Sequence, residues 1–140
     1  MSRAIAAFVT VFSFLSVHAG SDSSAIRVET LLQTSTAWDG TTYRAYPEGK
    51  PEVAVLRITI PARTTMNWHR HAMPNVAYVV SGELTVEKQD GGVTQHFRAG
   101  QTVAETVEAF HRGVTGEQPV ELLVFYAGAT GLPLSHPQAK

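Results

Sequence analysis

Cysteine is absent from the 140 residues, which excludes disulfides and thiolate chemistry. Positive charge is not in excess: 11 Lys and Arg stand against 12 Asp and Glu, a formal net charge of -1. No basic patch points to nucleic acid or to an anionic membrane surface. Helical periodicity is missing beyond the first twenty residues, as are repeats, low-complexity blocks and a linker to a second domain. The one long apolar run is N-terminal. Hydrophobic residues make up 44% of the chain, ordinary for a globular protein with a core.

The N-terminal run follows the order of a secretory signal peptide. A short basic start, Met1-Ser2-Arg3, precedes apolar residues Ala4 to Val17 and the small-residue site Val17-His18-Ala19. The run falls short of the roughly 20 apolar residues of a membrane span. The expectation is export after cleavage at Ala19, to the periplasm or outside the cell, with no stable membrane association. Residues 20–140 then form one domain, with its core at about 53–126. Its charge is 10 − 12 = −2, because Arg3 leaves with the signal.

From Ile26 onward, short β-prone runs alternate with turn residues. Expected strands are Ile26–Leu32, Val53–Ile60, Asn75–Val80, Glu83–Lys88, Val93–Phe97, Thr102–Val107, Phe110–Thr115 and Val120–Tyr126. Trp38-Asp39-Gly40, Ser81-Gly82 and Asp90-Gly91-Gly92 mark turns. The tail from Gly128 reads as a surface arm. Eight or so short strands at this spacing predict an all-β sandwich or closed barrel, whose interior can hold a small molecule.

Chemistry concentrates on three of the six histidines. His69 and His71, in Trp-His-Arg-His, are two residues apart and share one face of a strand. His111 follows forty positions later, and from a facing strand it would complete a three-point anchor for a metal ion. His96 and His136 read as surface residues, and His18 belongs to the signal.

These residues resemble the cupin superfamily, small jelly-roll barrels with two metal-binding motifs. The first motif is matched by His69-Arg70-His71, Asn75 and Gly82, without its leading glycine; the second is matched only by Gly100 and His111. The resemblance implies a jelly-roll (double-stranded β-helix) cupin barrel with His69, His71 and His111 on a divalent metal ion such as Fe, Mn, Ni or Zn. It also implies a homodimer. Where the family carries a fourth ligand, a glutamate, this chain has Asn75, a neutral amide. Asn75 is read as a fourth ligand, a hydrogen-bonding partner behind the metal's ligands, or a turn residue.

Glu105 is the candidate acid–base residue, and Glu108 reads as solvated rim. Met66, Trp68, Met73, Tyr78 and Phe110 divide between core and pocket lining, with strand parity turning Tyr78 away from Asn75. Arg70 must point opposite to its flanking histidines. The expected function is a small metalloenzyme of dioxygenase or isomerase/lyase type acting on a small molecule. The alternative is a cupin module that binds a small molecule or metal without turnover.

Overall fold

The computed structural model describes residues 25–139; the expected signal peptide, residues 1–19, lies outside them. Nine strands run in chain order: β1 (Pro51–Ile60), β2 (His69–Arg70), β3 (Asn75–Ser81), β4 (Glu83–Lys88), β5 (Thr94–Arg98), β6 (Thr102–Ala104), β7 (His111–Thr115), β8 (Val120–Ala129) and β9 (His136–Pro137). They form two antiparallel sheets, one ordered β1-β8-β3-β6 and the other β5-β4-β7-β2-β9. Among the described residues the only helical piece is a 3-10 turn at Asp90–Gly92.

Alternation in the sequence builds the core directly. Asn75, Ala77 and Val79 of β3 are buried, while Val76 and Tyr78 point the other way. Val120, Leu122, Val124 and Tyr126 of β8 line the same inner face, opposite Leu84 and Val86 of β4. Apolar burial of this kind drives the two sheets together.

Two glycines make the packing possible. Gly82 turns β3 into β4 at φ 79°, and a Cβ there would stand 2.4 Å from the Pro119 carbonyl oxygen. Gly113 lies inside β7, where a Cβ would meet Leu84 and Met66 at 3.0 Å.

Three expectations change. Ile26–Leu32 is exposed and forms no strand; it has polar and apolar residues in strand order and touches edge strand β6 through the Thr102 hydroxyl, which donates to the Leu31 carbonyl at 3.3 Å, but its backbone joins no ladder. The strand expected over Thr102–Val107 ends at Ala104. The C-terminal tail is not a surface arm. Leu132 and Leu134 pack on the core, and His136–Pro137 pairs with β2 as an edge strand.

Candidate metal centre

His69 and His111 are direct partners in the antiparallel pairing of β2 with β7. The third imidazole therefore comes from the neighbouring strand of the same sheet, not from a facing one. His71 follows at a parallel bridge to Val107. The three ring centroids are 4.7 to 5.1 Å apart. One ring nitrogen from each histidine lies within 4.8 Å of the other two. His71 and His111 are buried, and His69 stands half-buried at the rim.

Backbone carbonyls fix the ring orientations. Nδ1 of His69 lies 3.0 Å from the Asn67 oxygen, Nδ1 of His71 is 2.7 Å from that of Leu134, and Nδ1 of His111 is 2.9 Å from that of Ala109. A carbonyl only accepts, so each Nδ1 carries a hydrogen, and the Nε2 of a neutral ring keeps its lone pair for a ligand bond. The Thr106 hydroxyl braces His111 Nδ1 at 2.9 Å. The tail thus supplies part of the site, because Leu134 holds His71. Sequence reasoning missed this: a carbonyl oxygen leaves no residue-type signal.

Glu105 follows directly after β6, where its N–H donates to the Asn75 carbonyl at 3.0 Å. On the other side, Tyr43 Oη donates to the Glu105 carbonyl at 2.7 Å, and the Trp38 N–H to that of Ala104 at 2.8 Å. So clamped, the Glu105 side chain is 12% exposed and brings Oε2 to 2.6 Å from His111 Nε2. Neither atom makes an aligned hydrogen bond, nor do Oδ1 and Nδ2 of Asn75, which is 1% exposed. Buried polar atoms seldom go without partners. The Asn75 amide stands ready for a polar ligand beside the His111–Glu105 ion pair.

Electrostatics follow from this packing. Burial holds His69 and His71 below the ordinary histidine pKa. For His111, burial acts downward but the Glu105 charge outweighs it and the pKa is raised. Burial acts upward on Glu105, and the neighbouring histidines more than offset it, so the carboxyl sits below its usual range. Burial and Glu105 push the Tyr126 phenol up to about 12, so it stays protonated. Its ring meets His71 edge-on at 5.7 Å.

The remaining lining is apolar, including Ile58, Met66, Val86 and Val124, around a cavity of about 50 Å³. A groove of about 510 Å³ lies elsewhere, between Leu32, Tyr43 and Tyr46 of the N-terminal arm and the outer face of β3 and β8. Of the other candidates, Met73 is core and Tyr78 faces away from the histidines. Trp68 stacks under Arg112 at 4.2 Å, and Phe110 lies under Arg70 at 5.5 Å. Arg70 points out to Glu108 at 2.7 Å. Asn75 is not a turn residue, because it opens β3 with its side chain inward.

Two facing antiparallel sheets around an inward histidine cluster define a small jelly-roll barrel. The cupin domain family matches residues 56–126, half of the chain, and the protein belongs to the cupin superfamily. No curated protein matches it. A DMSP lyase from Ruegeria pomeroyi is similar in structure, with 19% identity, a TM-score of 0.55, and 63% of this chain covering 45% of that one. The polyketide cyclase RemF from Streptomyces resistomycificus is 18% identical with a TM-score of 0.55, covering 66% of this chain and 63% of the cyclase. An uncharacterized protein from Klebsiella pneumoniae with a double-stranded beta-helix domain is 17% identical with a TM-score of 0.54, covering 90% of this chain and 100% of the other. This chain thus spans less than half of the lyase and under two thirds of the cyclase, and the likenesses establish the fold alone.

Proposed function

We propose that this protein is an exported metal-dependent enzyme that acts on a small molecule by Lewis-acid chemistry, of the isomerase or lyase type. The observation that carries this reading is the convergence of three Nε2 lone pairs, each fixed by an Nδ1–H on a backbone carbonyl, onto unpartnered polar atoms of Asn75 and Glu105. His69, His71 and His111 would hold the ion, which when bound polarises a substrate carbonyl or hydroxyl oxygen. Three histidines leave coordination positions open, the pattern of catalytic rather than structural sites.

The chain's own groups supply the rest. Asn75 offers one acceptor and two donor hydrogens to a bound oxygen and fixes its orientation. Among the described residues Glu105 is the only carboxylate lining the cavity, and it can accept a proton. Tyr126, kept protonated, can donate a hydrogen bond to the bound molecule. At about 50 Å³ the cavity admits one polar end of a substrate and not a whole drug-sized molecule. The apolar lining excludes bulk water around that end.

Glu105, a carboxylate able to take a proton beside the histidines, favours Lewis-acid chemistry over the dioxygenase reading. Similarity in fold to a DMSP lyase and a polyketide cyclase is consistent with small-molecule turnover. Export rests on residues 1–19, and a periplasmic or secreted homodimer completes the proposal. The test is turnover of a panel of small hydroxy and keto acids by metal-loaded protein beside His71→Ala. Turnover lost in the variant supports the reading. Tight binding without turnover across the panel moves the protein to the alternative, a non-catalytic binding module.

A further inference from the structure

The outer face of the sheet β1-β8-β3-β6 carries a continuous apolar strip that the chain covers only at one end. Register sets Val55, Phe125 and Val76 in one row across β1, β8 and β3, with Val53 beside Ala127 in the next. At the β3 end the N-terminal arm closes over the row, where Leu32, Tyr43 and Tyr46 wall the 510 Å³ groove. At the β1 end the strip is bare: Val53 and Val55 are each 67% exposed and Phe125 44%. β1 is also the edge of its sheet and ten residues long, which adds a free row of backbone groups. Soluble monomers rarely leave an apolar face bare beside a free strand edge.

The arm has the converse feature. Ile26 and Val28 are 93% and 88% exposed, at alternate positions of a segment whose backbone joins no ladder. Ion pairing marks the same two regions. Among the described residues, the Asp, Glu, Lys and Arg side chains without an ion pair are Arg27, Glu29, Arg44, Glu48, Lys50 and Glu52, together with Asp90 in the β4–β5 turn. Arg27 and Arg44 outweigh Glu29 on the arm, and Glu48 and Glu52 outweigh Lys50 at the approach to β1. The two regions therefore carry unpaired charge of opposite sign, as complementary surfaces do.

We infer that a second copy of this chain covers the bare end: the arm of each protomer, through Ile26 and Val28, packs on Val53, Val55 and Phe125 of the other. A closed two-fold pair meets both needs at once, because the contacting patch and the contacted patch lie on the same chain. This rests on the homodimer of the proposed function and deepens it by naming the contact surface. The metal centre lies on the other side of the sheet. Val76 and Phe125 turn outward, while Asn75, Ala77, Val124 and Tyr126 turn inward. Dimerisation therefore leaves the histidines in place.

The test is sedimentation equilibrium of full-length exported protein and of two double variants, Ile26→Asp/Val28→Asp on the arm and Val53→Lys/Val55→Lys on the sheet. Wild type should be dimeric in the micromolar range, and each variant should raise the dimer dissociation constant by more than about 100-fold. Mixed in equal amounts, the two variants should form a dimer again, since one contact is native and the other sets Asp against Lys. Near-UV circular dichroism matching wild type shows that each variant is folded. Dissociation constants within about threefold of wild type in either variant overturn this contact surface and leave the homodimer standing. Variants that dissociate but form no dimer on mixing overturn the contact of arm with sheet. Wild-type protein that is monomeric throughout the micromolar range overturns both the surface and the homodimer.

Discussion

His69 and His111 face each other directly across β2 and β7, with ring centroids 4.7 Å apart. Pairing register alone brings these two imidazoles together, because a slip of one residue would send either ring to the opposite face. Only two residues of β2 are in ladder conformation, held between β7 and the tail strand β9. The histidine cluster therefore depends on a short strand fixed from both sides.

Removing the tail tests that dependence. Deletion of residues 132–140 takes away β9 and the Leu134 carbonyl that accepts from His71 Nδ1. Metal affinity should fall about tenfold or more by chelator competition. An unchanged affinity would mean that the tail is dispensable to the site.

Gly82 sets the turn from β3 into β4. Gly82→Ala places a Cβ at 2.4 Å from the Pro119 oxygen in a left-handed conformation. The cost should be about 2 kcal/mol or more in urea denaturation. Gly91→Ala shares the positive φ but meets open space and should cost only about 1 kcal/mol. Equal losses in the two variants would refute the steric account.

Asp39 anchors the N-terminal arm. Its carboxylate is 1% exposed, 2.6 Å from Lys88 Nζ, and accepts at 2.9 Å from both N and Oγ1 of Thr41. Burial raises its pKa, but Lys88 and Thr41 outweigh burial and leave it below 3.8. A lowered folded-state pKa gives stability that is complete above the unfolded value, near 4, and is lost as pH falls through the folded value. Asp39→Asn should cost about 2 kcal/mol at pH 7, seen as a lower melting temperature. The gap between wild type and variant should narrow as pH falls below about 4 and through the folded value. A gap independent of pH would assign the effect to shape and not to charge.

Much of this was legible in the sequence because strand alternation is a local signal. Asn75, Ala77 and Val79 could be placed on one face from parity, and burial follows that parity. The three histidines were legible from their spacing and from the resemblance their motifs carry. Other features depend on contacts distant in the chain. The packing of Leu132 and Leu134, the Leu134 carbonyl behind His71, and the clamp on Glu105 link residues up to 63 positions apart. Ile26–Leu32 shows the converse: a strand-like pattern beside edge strand β6 forms no strand, because its backbone joins no ladder.

The central claim is that His69, His71 and His111 hold a divalent metal ion. Elemental mass spectrometry of protein purified without affinity-tag nickel, beside a His69→Ala/His111→Ala double variant, tests it most directly. The account predicts close to one ion of iron, manganese, nickel or zinc per chain, lost in the double variant. Wild-type protein without metal, even after reconstitution, would contradict it.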